Sequence, residues 1–246
     1  MIHTLKIYRS LGPVDMKNIR RDSLLMWIPL LPFVMALIFR LAIPKLTIWA
    51  LAEFDVDLTS IYPLLMSSFV MLVPLLAGMM TGFLLLDERD DRVLTALLVM
   101  PLPLRGYLFY RLSLPMLLGV IMTIISYPIA GLIPMSLGNL IVVSLMMSFS
   151  APILALVLAT LASNKVVGFT VMKMVNGVMM IPMLAFFIDS AWANLAGIIP
   201  AYWGLKVFWL IAEGDSNYGV YALIGIIANV IVLWWLLRQF QRVLHR

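Results

Sequence analysis

The chain of 246 residues contains no cysteine. That removes disulfides, thiol chemistry, Cys-ligated zinc or iron–sulfur, and covalent c-type haem attachment. Histidine is almost missing as well. His3 and His245 stand at opposite ends of the sequence, so no His-based metal or catalytic site is expected. Charged residues make up 12%, about half the share found in a soluble domain. The chain has no Gly-x-x-x-x-Gly-Lys-Ser/Thr phosphate loop, no Gly-x-Ser-x-Gly and no His-Glu-x-x-His. Each of those motifs places a phosphate cradle, a nucleophile or a zinc site at fixed spacing. No catalytic residue, bound cofactor or metal is therefore expected.

Apolar residues fill the space left by these absences. They reach 63%, with a mean hydropathy of +1.06. An integral membrane protein is the class that fits, and its all-α form is favoured over a barrel, whose strands would alternate in polarity. A span needs about 20 apolar residues, so the length allows roughly six. They are expected at 24–43, 61–86, 106–133, 140–162, 166–188 and 218–237. One domain, 1–246, is expected. The net charge of +5 belongs to residues flanking the spans, where they meet anionic lipid; no nucleic acid is implied.

Residues 1–22 read as an interfacial helix. Leu5, Tyr8 and Leu11 share a face, Gly12-Pro13 breaks the run, and Met16 and Ile19 continue it opposite Lys17, Arg20 and Arg21. A disordered basic tail is the alternative. The stretch does not read as a signal peptide, because no small-residue cleavage site follows its long basic region.

The connections between spans differ in their basic residues. One set holds Lys6, Arg9, Lys17, Arg20, Arg21, Arg89, Arg92, Arg105, Arg111, Lys165, Arg238, Arg242 and Arg246. The other holds Arg40, Lys45 and Lys206. The richer set is expected inside, with both termini cytoplasmic and the protein multi-pass in a bacterial inner membrane. Residues 189–217 then lie outside. They are too long for a turn, and their apolar runs are too short to span. Two short helices with interfacial aromatics are expected there; a re-entrant pair of half-spans is the rival.

The most informative stretch lies between the second and third spans. Asp87, Glu88, Asp90 and Asp91 crowd what reads as the first turn of a new helix, where acids suit the positive end of the dipole. Val93, Leu94, Leu97 and Leu98 then share one face, and Pro101 and Pro103 stop it. The helix, 87–103, is suited to dock into a groove on another protein. An ordinary solvated loop is the alternative.

Within the expected spans there is no Asp or Glu. An ion-coupled carrier normally has acids at membrane depth, so energy for uphill movement is expected from elsewhere. Lys173 is the one charge well inside a span. With Met172, Asn176 and Met180 it marks a candidate pathway; snorkelling to the interface is the alternative. Met146, Met147, Met174, Met179 and Met183 add an adaptable apolar surface, for a drug or for plain packing. Gly78 and Gly82 in the second span, and Ala151, Ala155 and Ala159 in the fourth, are small-xxx-small patterns that permit close helix approach.

The stretch from Asp87 to Leu112 resembles the loop after the second span in permease subunits of ABC-2 type exporters. Glu88-Arg89, Thr95, Leu97-Leu98 and Pro101 match that pattern, although Ala96 stands where leucine is usual. The layout of the whole chain is similar too, most of all to small drug-export permeases of the fluoroquinolone-efflux kind. The resemblance implies a permease subunit that moves a hydrophobic or amphipathic small molecule outward. It implies two copies of a separate ATP-binding subunit carrying ATP and Mg, and a second permease, identical or not. Asp87, Glu88, Arg89, Asp91, Val93, Leu94, Leu97 and Leu98 would couple to the ATPase. A membrane anchor for a soluble partner and an ATP-independent carrier or channel are the other readings.

Overall fold

The computed structural model describes residues 2–90, 104–188 and 190–244. Among them the backbone is helical nearly throughout, with no strand. Six helical segments are long and apolar enough to cross a membrane: Leu25–Phe54, Leu58–Arg89, Gly106–Ala130, Leu137–Leu161, Lys165–Phe187 and Tyr218–Arg242. These are the first to sixth spans, and they agree with the expected all-α membrane class. An even number of spans returns both chain ends to one end of the bundle, the terminal end.

The second and fourth spans form the centre, with 83% and 72% of their apolar windows buried. The first, fifth and sixth bury 17% each. Side chains such as Leu41, Ile48, Val178 and Ile231 point outward, where lipid rather than water suits them. The two central helices touch because glycine removes a side chain at the crossing. A Cβ on Gly78 would lie 2.3 Å from the Ala151 carbonyl oxygen, and one on Gly82 would lie 2.6 Å from Leu158 Cδ1. Gly78, Gly82 and Ala151 thus serve packing within one chain.

Proline shapes the spans without ending them. Pro152 has no N–H to give the carbonyl four residues back. The fourth span accordingly breaks at Phe149, between Leu137–Ser148 and Ser150–Leu161. The Ser148 and Ser150 hydroxyls donate to the carbonyls of Leu145 and Met147, at 2.7 and 2.6 Å. Pro182 coincides with a tightening to 3-10 geometry over Ile181–Phe187.

Three boundaries differ from the sequence expectation. The amino-terminal helix, Ile2–Arg21, runs through Pro13. Pro13 forgoes one bond, to the carbonyl of Arg9, a residue that is exposed. The first span continues past 43 to Phe54 despite Pro44. It stops where Asp55 turns left-handed, with φ of 54°. The second span does not end near 86: its helix is Tyr62–Asp90. Asp87, Glu88, Arg89 and Asp90 are therefore its last turn, not the first turn of a new helix. The bundle helices also carry acids after all, at their ends, in Glu53, Asp87, Glu88 and Asp90.

Between the fifth and sixth spans are two short helical pieces, Ala191–Ile198 in 3-10 form and Ala201–Glu213 in α form. The second is inserted in the bundle. Tyr202, Leu205, Val207, Phe208 and Trp209 are buried, and the helix packs on the second, fourth and sixth spans. Trp209 Nε1 donates to Ser67 Oγ at 3.0 Å. A Cβ on Gly204 would meet Met147 Sδ at 2.7 Å, so the methionine would have to shift to admit one. Gly214 ends the helix in the left-handed region, φ 79°, where glycine has no Cβ to clash. The sequence placed these aromatics at an interface; Trp192 is exposed, but Phe208 and Trp209 belong to the interior.

Candidate functional site

The last turn of the second span is tied to several of the elements around it at the terminal end. Glu88 pairs with Arg111 of the third span and accepts a hydrogen bond from Tyr107. Arg111 in turn grips Asp15 of the amino-terminal helix through both nitrogens, at 2.7 and 3.0 Å. Tyr110 donates to the same carboxylate at 2.6 Å. Arg111 Nε donates to Tyr107 at 3.3 Å, and its guanidinium lies 5.5 and 5.4 Å from the rings of Tyr107 and Tyr110.

The cluster is dry. The Arg111 side chain is 1% exposed, that of Asp15 5% and that of Glu88 12%. Burying ions costs several kcal/mol each unless hydrogen bonds satisfy them. Here two carboxylates share one forked guanidinium and two phenol donors, so each charge has more than one partner. Bidentate geometry of this kind requires arginine; a lysine ammonium has no such fork.

Glu88's neighbours reach elsewhere. Arg89 donates to the carbonyls of Ala159 and Ala162, at 3.2 and 2.6 Å, at the end of the fourth span. Those carbonyls have no intrahelical partner at a helix end, and a cation suits the negative end of the dipole. Asp87 pairs at 3.0 Å with Lys165, the first residue of the fifth span, and Lys165 also holds Asp22 at 2.6 Å. Asn164 caps that span, accepting from the Val167 N–H at 3.0 Å. Three consecutive residues, Asp87, Glu88 and Arg89, thus fasten the second span to the amino-terminal helix and to the third, fourth and fifth spans. The acids sit at a helix C-terminus, where the dipole opposes them; Arg111 and Lys165 supply the compensating charge.

Asp91, Val93, Leu94, Leu97 and Leu98 lie outside the described residues. The candidate pathway residues share the outer face of the fifth span. Lys173 and Met180 are exposed; Met172 and Asn176 are half-buried. Asn176 Oδ1 is buried with no hydrogen-bond partner among the described residues. A cavity of about 250 Å³ beside this face is lined by Leu161, Val171, Met174, Val175, Val178 and Met179, all apolar. The methionines divide: Met146, Met147 and Met179 are buried, while Met174 and Met180 face outward.

Sequence reasoning counted Arg111 and Lys165 only as basic residues marking one side, and it passed over Asp15, Asp22, Tyr107 and Tyr110. A signal was available. Arg111 stands about two turns inside the helix Leu104–Ala130, deep for a cation with no partner.

Six helices long and apolar enough to cross a membrane, with a charged clamp at one end and a separate amino-terminal helix, define a multi-pass membrane protein. The family model described as Fluoroquinolones export permease protein Rv2686c-like matches residues 15–237. The chain belongs to that family of membrane permeases, which is of the ABC-2 type. Two relatives are the Fluoroquinolones export permease proteins MT2760 and Rv2686c of Mycobacterium tuberculosis, strains CDC 1551 / Oshkosh and ATCC 25618 / H37Rv. Each is 29% identical over 235 residues, covering 94% of this chain and 93% of the relative. No solved structure gives a significant match.

Proposed function

We propose that the chain is the membrane-spanning subunit of an ATP-driven exporter. It moves a hydrophobic or amphipathic small molecule, fluoroquinolone-like in class, out of the cytoplasm of a bacterium. ATP and Mg are held by a separate ATP-binding subunit in two copies, and a second permease subunit completes the pathway. Both termini and the clamp are cytoplasmic. Segment 87–103 docks the ATPase.

The observation that carries this reading is the anchoring of Asp87, Glu88 and Arg89 immediately before residues 91–103. A force applied to that segment would act on the second span, and through the clamp on the third, fourth and fifth. Rigid packing of the second span against the fourth at Gly78 and Gly82 would pass the displacement along the bundle. The outer face with Met172, Lys173, Asn176 and Met180 is assigned to the pathway between two permeases.

Reconstituted vesicles test the reading. With the ATP-binding subunit and ATP, fluoroquinolone flux should be uphill and should survive collapse of the proton gradient. Uphill flux driven by a pH gradient alone, without ATP, would refute it. Orientation is tested separately, since the chain offers no native cysteine. Single cysteines at Ser216 and Ser163 should be labelled in intact cells by an impermeant thiol reagent at the first and not at the second. The opposite pattern would invert the topology.

A further inference from the structure

Lys206 is the one Lys or Arg between Lys173 and Arg238. It lies in the middle of the inserted helix, half-buried, between the buried residues Leu205 and Val207. Among the described residues it joins no ion pair. Its ammonium stands 5.8 Å from the centre of the Tyr221 ring. A cation on a helix packed inside a membrane bundle is costly unless it meets a counter-charge or opens to a cavity.

Lys206 opens to two. A cavity of about 570 Å³ is bounded by Phe186, Asn194, Lys206, Trp209, Glu213 and Tyr221. A neighbouring one of about 640 Å³ adds Trp203 and Asp215 and shares Asn194, Lys206 and Tyr221. Both fall in the size range of small-molecule sites, ~300–1,000 Å³. Their shared wall carries an ammonium, an aromatic face and an amide. Asn194 Oδ1 is engaged by the Tyr202 hydroxyl at 2.8 Å, which leaves its amide nitrogen as the donor. Two donors beside aromatic rings suit an acid with an apolar body. The aromatic faces give area with little side-chain entropy to lose, and the ammonium gives the charge-assisted bond. Glu213, exposed nearby, offers a place for a cationic group on the same ligand.

We propose that Lys206 is the anion-binding residue of a site for an anionic amphiphile, at the end of the bundle opposite the termini. A carboxylate or phosphate meets Lys206 and Asn194, and the apolar body lies against Tyr221 and Trp209. Two sources have this chemistry: an exported aromatic acid, which rests on the export reading above, and the headgroup of an anionic lipid.

The full chain in phosphatidylcholine nanodiscs tests it. The probes are a fluorescent fluoroquinolone carboxylic acid, its methyl ester, and phosphatidylglycerol added to the disc. If the source is the exported acid, the acid should bind about tenfold more tightly than the ester, the scale of one charge-assisted hydrogen bond. Lys206→Ala should abolish the difference and Lys206→Arg should keep it. If the source is lipid, phosphatidylglycerol should raise the melting temperature of the wild type and of Lys206→Arg but not of Lys206→Ala. Acid and ester binding alike to the wild type, together with lipid stabilisation independent of Lys206, would overturn the site. The acid–ester comparison on the wild type decides the drug arm even if a variant folds poorly. Binding is read without transport, so its failure leaves the export reading standing, and loss of efflux with intact binding strikes that reading alone.

Discussion

At the end that carries both termini, Asp15, Asp22, Asp87, Glu88, Arg89, Arg111 and Lys165 each meet a partner within the chain. At the other end Lys206, in no ion pair among the described residues, faces two cavities instead. The difference separates two uses of charge in an apolar protein. Charges satisfied by one another fix helices in one arrangement, most firmly at Arg111, where breaking a pair leaves a buried ion in a low dielectric. A charge left to a cavity is free to recognise something from outside. The first use suits a part that carries force, the second a part that holds a ligand.

The largest way to break that contrast is at Arg111. Arg111→Met leaves Asp15 and Glu88 facing each other without a cation, at a cost of about 3–5 kcal/mol. The melting temperature of the purified protein in detergent should fall steeply. A triple change that also makes Asp15→Asn and Glu88→Gln should recover much of it, since no buried charge then remains unpaired. Recovery of nothing would mean that the cluster acts through packing alone.

A smaller loss is expected at Arg89→Ala. Two charge-assisted bonds from one part-buried guanidinium to the Ala159 and Ala162 carbonyls vanish, together worth about 1.5–3 kcal/mol. Amide exchange should quicken at the end of the fourth span, near 159–162, and not at its start near 137–141. Uniform quickening would deny the local anchor.

Lys165→Ala should matter least at this end. Its side chain is 35% exposed and that of Asp87 36%, so water and salt screen the pair and ~0–1 kcal/mol is at stake. The effect should shrink further in high salt, unlike that of Arg111→Met, and an equal salt response from the two would blur the distinction between them.

At the opposite end the smallest effect belongs to Asp57. Its carboxylate accepts the Thr59 N–H at 2.9 Å and the Thr59 hydroxyl at 2.7 Å, which holds its pKa below the usual carboxylate value. A depressed folded pKa means a contribution fully present above the unfolded value, ~3.9, and lost as pH falls through the folded one. The slight stability gap between wild type and Asp57→Asn should therefore close in acid. A gap that widened there would reverse the sign.

Much of the fold was legible because bilayer spans require long apolar runs, and those runs are plain between the polar connections. The end of the second span was not. A run of Asp87, Glu88, Arg89 and Asp90 after apolar residues reads as the start of something new, when the helix merely continues. It can continue because Arg111 and Lys165, distant in sequence, neutralise its acids; periodicity along one segment carries no trace of such partners. Phe208 and Trp209 misled for a related reason. An aromatic in a short segment suggests an interface, but the Trp209 N–H finds Ser67 inside the bundle. Gly78 and Gly82 were visible as a pattern, while their partner, the Ala151 side of the fourth span, needed the three-dimensional arrangement.

The most direct test is the number of drug molecules exported per ATP hydrolysed, measured in proteoliposomes holding the permease and the proposed ATP-binding subunit. Two variants are compared with the wild type. Leu97→Asp puts a carboxylate on the proposed docking face and should lose both ATPase binding and export. Arg111→Lys keeps the charge and loses the forked grip on Asp15, a contact worth about 1.5–3 kcal/mol, or roughly 10- to 150-fold. It should still bind the ATPase and hydrolyse ATP, yet export fewer drug molecules per ATP than the wild type. A ratio equal to the wild type's in Arg111→Lys would show that the clamp does not carry motion from segment 87–103 into the bundle.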